Sequence, residues 1–253
     1  MSDTTRPTTI ATKPCYVHET YRNRGKMGPP YRPARQEVVP SLHEFTCRWA
    51  VGNELSIDST QLPKYVRPVG DSLRLGDATL AYSVKMTEAG DDAPLKALYF
   101  VAEVADSLYY REVDTHYPDP EYRKSWQIRA LRPLDVSGAT SQYIWFEYSS
   151  VAEGTKNGEQ YVSETWRGHV YTYDRRRGVR FLQWSPIRYE ERIGGRLHGV
   201  RQLDVRFPRA GVMEVEERLQ KGAQVTRGRG WQHRLGRHII DPDVIEQEHA
   251  PQP

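Results

Sequence analysis

The sequence predicts an all-β protein: an antiparallel β-sandwich or a calycin-like barrel, with an extended N-terminal arm and an irregular C-terminal tail. Three observations carry that expectation. Apolar and polar side chains alternate at period two through most of residues 80–219, short turn-forming segments separate the alternating runs, and no long three-and-four apolar spacing lies between them. Parallel strands need crossover segments, usually helices, so this pattern argues against a βαβ layout.

Residues 1–40 read as an arm, 41–221 as an antiparallel β domain and 222–253 as an irregular segment with an acidic tail. Prolines at positions 7, 14, 29, 30, 33 and 40 block a continuous helix or a central strand in the arm. Tyr16, Tyr21 and Tyr31 give that arm rings with which to grip its own domain or a neighbour.

LHEFTCRWAV (42–51) is expected to enter the fold as a strand, and NELSIDSTQLPKYVRPVGD (53–71) to be a polar connection. In LRLGDATLAYSVKM (73–86), Leu80, Tyr82, Val84 and Met86 share one side. LKALYFVAEV (95–104) is apolar on both sides, as a central strand is. SLYYREVD (107–114) and KSWQIRALR (124–132) follow, separated by a loop rich in proline and aspartate. QYIWFEYSSV (142–151) is an aromatic strand, and Asn157-Gly158 marks a tight turn after it. Two hairpins complete the domain: YVSETWRGHVYTYD with VRFLQWSPIRYEER around RRRG, and VRQLDVRF with GVMEVEERL around PRAG.

Composition narrows the function. With 253 residues, 38% hydrophobic and 27% charged, the chain can build a sizeable core. No run approaches 18 apolar residues and the first residues lack a secretory apolar segment, so a cytoplasmic or other intracellular location is expected. Cys15 and Cys47 cannot make a disulfide framework. The net charge of +3 conceals segregation: residues 175–238 carry sixteen Lys/Arg against six acids, whereas 37–174 carry thirteen against twenty-one. Such blocks hold one part of a chain to another, orient a subunit or attract a polyanion.

The stretch 161–184 is dense in rings and arginines. At period two, Arg167, His169, Tyr171 and Tyr173 share one face and Trp166, Val170 and Thr172 the other. The first reading is a non-catalytic structural or accessory subunit that associates with a protein partner or a second copy. Its contact residues would be Tyr16, Tyr21, Tyr31, Arg167, Tyr171, Tyr173, Arg175, Arg176 and Arg177, since Tyr and Arg are enriched at interfaces. Nucleic acid ranks lower as a partner, because no zinc-finger, helix-turn-helix or other recognition motif accompanies the arginines.

The alternative is a small-molecule-binding β-barrel protein or enzyme with an aromatic-lined pocket. His169, Tyr171 and Glu164 are its candidate liners, and His169 and Tyr171 should stand roughly 6–7 Å apart along a strand. No nucleophile elbow, phosphate loop, metal-ligand spacing or cofactor motif is present, so no catalytic residue, cofactor or metal is assigned.

Overall fold

Twelve strands form two antiparallel sheets in a computed structural model that describes residues 37–45, 66–76, 79–87, 96–116, 122–176, 178–222 and 234–240. The first sheet contains β1 (Glu37–Val39), β2 (Val66–Leu75), β3 (Thr79–Thr87), β4 (Lys96–Val104) and β5 (Ser107–His116), in the order β1-β5-β4-β3-β2. The second contains β6 (Tyr122–Leu134), β7 (Gln142–Lys156), β8 (Glu159–Asp174), β9 (Gly178–Ile193), β10 (Arg196–Arg209), β11 (Val212–Lys221) and β12 (Gly236–Ile239), in sequence order across the sheet. The arrangement is sandwich-like. Neither sheet closes on itself, so the calycin-like barrel is not the architecture.

From β2 to β5 and from β6 to β11, consecutive strands pair because the connections are too short for anything but a reversal. The β7–β8 turn shows the local chemistry: Asn157 and Gly158 both take positive φ, 54° and 81°. That is the backbone of a two-residue hairpin whose twist matches its strands. β4 occupies the middle of its sheet, and Ala97 through Ala102 are all buried, as its two apolar sides require.

The sheets meet through one aromatic core. Leu75, Leu98, Phe100 and Ala102 come from the first sheet, and Ile144, Phe146, Tyr148, Tyr171 and Val179 from the second. Phe100 stacks on Tyr171 with ring centroids 3.8 Å apart and meets Phe146 at 5.5 Å. The edge-to-face Phe100–Phe146 pair adds roughly 1 kcal/mol beyond the apolar area it buries.

The opposite face of the seven-stranded sheet has a core of its own, built by Val136, Tyr143, Trp145, Val170, Leu182, Leu203, Met213, Val215 and Ile240. Register shifts between Ile128 and Ala130, at two places along β8–β9, and along β10 kink the strands as β-bulges do. The curvature carries the β10–β11 turn back toward the β6–β7 connection. There the Gly211 N–H donates to Tyr143 Oη at 3.2 Å, and the Ala210 N–H to the Ser137 carbonyl at 3.0 Å.

Several local expectations are corrected. Residues 42–45 form a single helical turn rather than the start of a strand, with the Glu44 N–H donating to Ser41 Oγ at 3.2 Å. That cap delivers Phe45 onto Tyr99 and Tyr110, at 5.0 and 4.5 Å. Residues 46–51 lie outside the described residues. The supposed connection contains the first half of β2, where Pro68 is tolerated because β2 is an edge strand with a register shift between Val69 and Leu73. The C-terminal segment is not wholly irregular: β12 pairs with β11, Ile239 opposite Val212. Within the arm, β1 pairs with β5, Glu37 opposite Tyr110. Both strands are too short for their periodicity to be read.

Gly168 tests the second core. The indole of Trp145 lies directly on it, and a Cβ at residue 168 would overlap the ring carbons. Gly168→Ala should destabilise the protein by about 1–3 kcal/mol in urea unfolding, as overpacking does. The loss should shrink in a Trp145→Leu background; equal losses in both backgrounds would show that the ring does not create the constraint.

Candidate functional site

β7 and β8 pair without a register shift from end to end, so the odd positions of β8 and the even positions of β7 share the face toward the first sheet. Along β8 that row runs Tyr171, His169, Arg167, and along β7 it runs Ile144, Phe146, Tyr148, Ser150. Side chains thus change from apolar to polar along one row inside the sandwich.

His169 sits in the transition, 5% exposed and ringed by aromatics. Its ring centroid is 5.6 Å from Tyr148, 5.8 Å from Phe181, 6.2 Å from Phe146 and 6.4 Å from Tyr171. The last distance is what two residues along a strand dictate. From the first sheet, Arg111 of β5 places its guanidinium 3.7 Å from the centroid of Phe181, which itself lies 5.5 Å from Tyr171. Phe181 is therefore the common neighbour of Arg111, His169 and Tyr171.

The polar end of the row is tied together by Asp114. Its Oδ1 accepts from Lys124 Nζ at 2.7 Å and lies 3.5 Å from Arg167, while its Oδ2 accepts from the Trp126 indole N–H at 2.8 Å. Tyr148 joins the sheets by donating its hydroxyl to the Val113 carbonyl at 2.9 Å, and Arg167 donates to the same hydroxyl at 3.3 Å.

Three buried polar atoms in this cluster have no hydrogen-bond partner among the described residues: His169 Nδ1, Tyr171 Oη and Arg111 Nε. Their titration follows the setting. Burial pushes the His169 pKa well below its ordinary value, helped by the positive charges of Arg111 and Arg167. Burial raises the Tyr171 pKa against the opposing pull of Arg111, so the hydroxyl stays protonated. Burial also lowers the pKa of Arg111. The cluster sets a buried neutral imidazole and a buried phenol O–H beside a half-buried guanidinium.

The site joins some of the residues singled out from the sequence and separates others. His169 and Tyr171 are neighbours. Glu164 is not with them: five positions from His169 on an unshifted strand, it faces the other way and accepts from Arg129 at 2.7 Å. A carboxylate-histidine pair is therefore not assembled from these two. Tyr171 is a fully buried core residue, which removes it from any docking surface, and Tyr173 packs half-buried against the same core. Arg167 is half-buried on the inward row. Arg175 and Arg176 are exposed at the β8–β9 turn. Tyr16, Tyr21, Tyr31 and Arg177, like Cys15 and Cys47, lie outside the described residues.

Much of the basic stretch is engaged with acids beside it. Arg188 and Arg192 pair with Glu190, Arg201 with Glu217, Arg206 with Asp204 and Glu216, and Arg218 with Asp204. The hydrogen bond from Arg188, with further support from Arg192, holds the Glu190 carboxyl below the usual carboxylate range. Arg201 is buried, whereas the exposed pairs of Arg206 and Arg218 stabilise little, and all of these pairs dissipate the local positive field. Among the described residues, no group of three or more His, Cys, Asp or Glu gathers as a metal site, and no helix is long and apolar enough to cross a membrane.

Arg111 and Phe181 escaped the sequence reading. The available signal for Arg111 was an arginine in the row Tyr109, Arg111, Val113, whose other members pack on the core. No protein-family profile, curated protein or solved structure matches the chain. Its own geometry carries the functional reading.

A histidine held neutral by burial makes stability depend on pH. The unfolded chain binds a proton below about 6.5, the ordinary imidazole value, while the folded chain does not. Stability should hold above that pH and fall below it, by up to about 1.4 kcal/mol per pH unit. His169→Gln should remove this component. Urea unfolding of both proteins from pH 8 to pH 5 checks it, and parallel curves would show that His169 titrates equally in the two states.

Proposed function

We propose that the protein binds a small molecule whose apolar, planar body lies among the rings between the two sheets, with a polar end at His169, Tyr171 and Arg111. The observation that carries this reading is the trio of buried, unpartnered polar atoms around Phe181. Each such atom costs a fold about 1–3 kcal/mol, so three together approach the ~5–15 kcal/mol net stability of a whole domain. A bound molecule that supplies partners offsets that penalty. The surroundings suit one, since ligand sites combine aromatic walls with a few convergent polar groups.

Association with a protein partner is the second reading, supported by the exposed Arg175 and Arg176 at one turn. It draws no support from Tyr171, whose ring belongs to the core.

Tyr171→Phe separates a binding role from a structural one. Deleting an unpartnered hydroxyl should leave the free protein as stable as before or more stable, while lowering affinity for 2-naphthol, a ring with one polar group, by about 5–10-fold. Thermal unfolding and titration calorimetry read the two effects. A loss of about 1 kcal/mol or more in the free protein, with unchanged affinity, would assign the hydroxyl a structural partner and remove the binding role.

A further inference from the structure

The charges around the inter-sheet cluster do not balance. On the inward face, Arg111, Arg167 and Lys124 bring three cations, and Asp114 is the carboxylate that meets them. Both oxygens of Asp114 are already engaged, Oδ1 by Lys124 and Arg167 and Oδ2 by the Trp126 indole. Arg111 has no carboxylate partner among the described residues; its guanidinium lies over Phe181 with Nε buried and unpaired. Arg111 is half-buried, and a cation drawn even partly out of water is favoured by a counter-charge.

The neighbouring groups are biased the same way. Tyr171 and Arg111 present an O–H and an N–H donor, and His169 can present its Nδ1–H in the appropriate tautomer. His169, buried at 5% exposure, keeps Nδ1 away from solvent and without a partner among the described residues. Donors on three side chains that share Phe181 as a neighbour, one of them a guanidinium with no carboxylate partner among the described residues, match an anion, and arginine's planar fork matches a carboxylate in particular.

We infer that the ligand between the sheets is an aromatic carboxylic acid bound as its anion, with the carboxylate on Arg111 and Tyr171 and the ring system against Phe181. This rests on the binding role proposed above and names the chemical class that the site selects. Arg111 supplies the charge recognition and Tyr171 a second donor. Arg167, shared between Tyr148 and Asp114, closes the polar end.

The test compares 2-naphthoate with 2-naphthamide, which match in shape and differ in charge, by titration calorimetry on the full chain at pH 7.5. The acid should bind at least ten-fold more tightly than the amide. Arg111→Met, which keeps a stem over Phe181, should weaken the acid at least ten-fold and leave the amide within two-fold; Arg111→Lys should retain part of the preference. Equal affinities for acid and amide in the unmodified protein would overturn the anion assignment while leaving the binding role standing. Binding of neither at millimolar concentration would overturn both. Should Arg111→Met fail to fold, the acid-to-amide ratio in the unmodified protein and the Arg111→Lys result still decide the matter.

Discussion

Phe100 of β4 stacks face to face on Tyr171 of β8, and the two sheets are held in register by that contact. From it the neighbouring positions follow. Phe146 meets Phe100 edge-on, Phe181 meets Tyr171 edge-on, and Arg111, opposite Phe100 on the adjacent strand, is brought over the Phe181 ring. Truncating one such buried ring to alanine costs about 3–5 kcal/mol, a large share of a domain's net stability. The packing that makes the sandwich therefore also builds the polar cluster at its margin.

The long strands of the second sheet serve two cores at once. Between the sheets, the row from Tyr171 through His169 to Arg167 passes from apolar packing to a charged rim; on the opposite face, Val170 and the Trp145 indole over Gly168 belong to a separate apolar cluster. Alternation along a pleated strand allows this, since each face can be composed independently. β9 meets the same demand with a bulge beside Tyr171, sending Phe181 to the inter-sheet core and Leu182 to the other.

Polar groups within such a core are tolerated for a reason. Tyr148 bridges the sheets to the Val113 carbonyl and Asp114 gathers three donors, so those groups are satisfied and hold the geometry. His169, Tyr171 and Arg111 differ, each retaining a buried atom without a partner. Hydrogen-bond satisfaction is the norm inside proteins, so these three atoms carry a cost that Tyr148 and Asp114 do not.

The amino-acid sequence by itself determined the all-β class, the reversal at Asn157-Gly158, the central position of the strand around Phe100 and the shared face of His169 and Tyr171. These depend on neighbours one or two positions away, where φ preference and side-chain alternation act. Only the tertiary structure decided that the Tyr171 face turns inward, that Glu164 stands on the other side, that a strand as short as Gly236–Ile239 finds a partner, and that Arg111 reaches Phe181. Period two gives both faces of a strand equal standing, and the choice between them is made by residues far along the chain, through the burial that packing two sheets achieves.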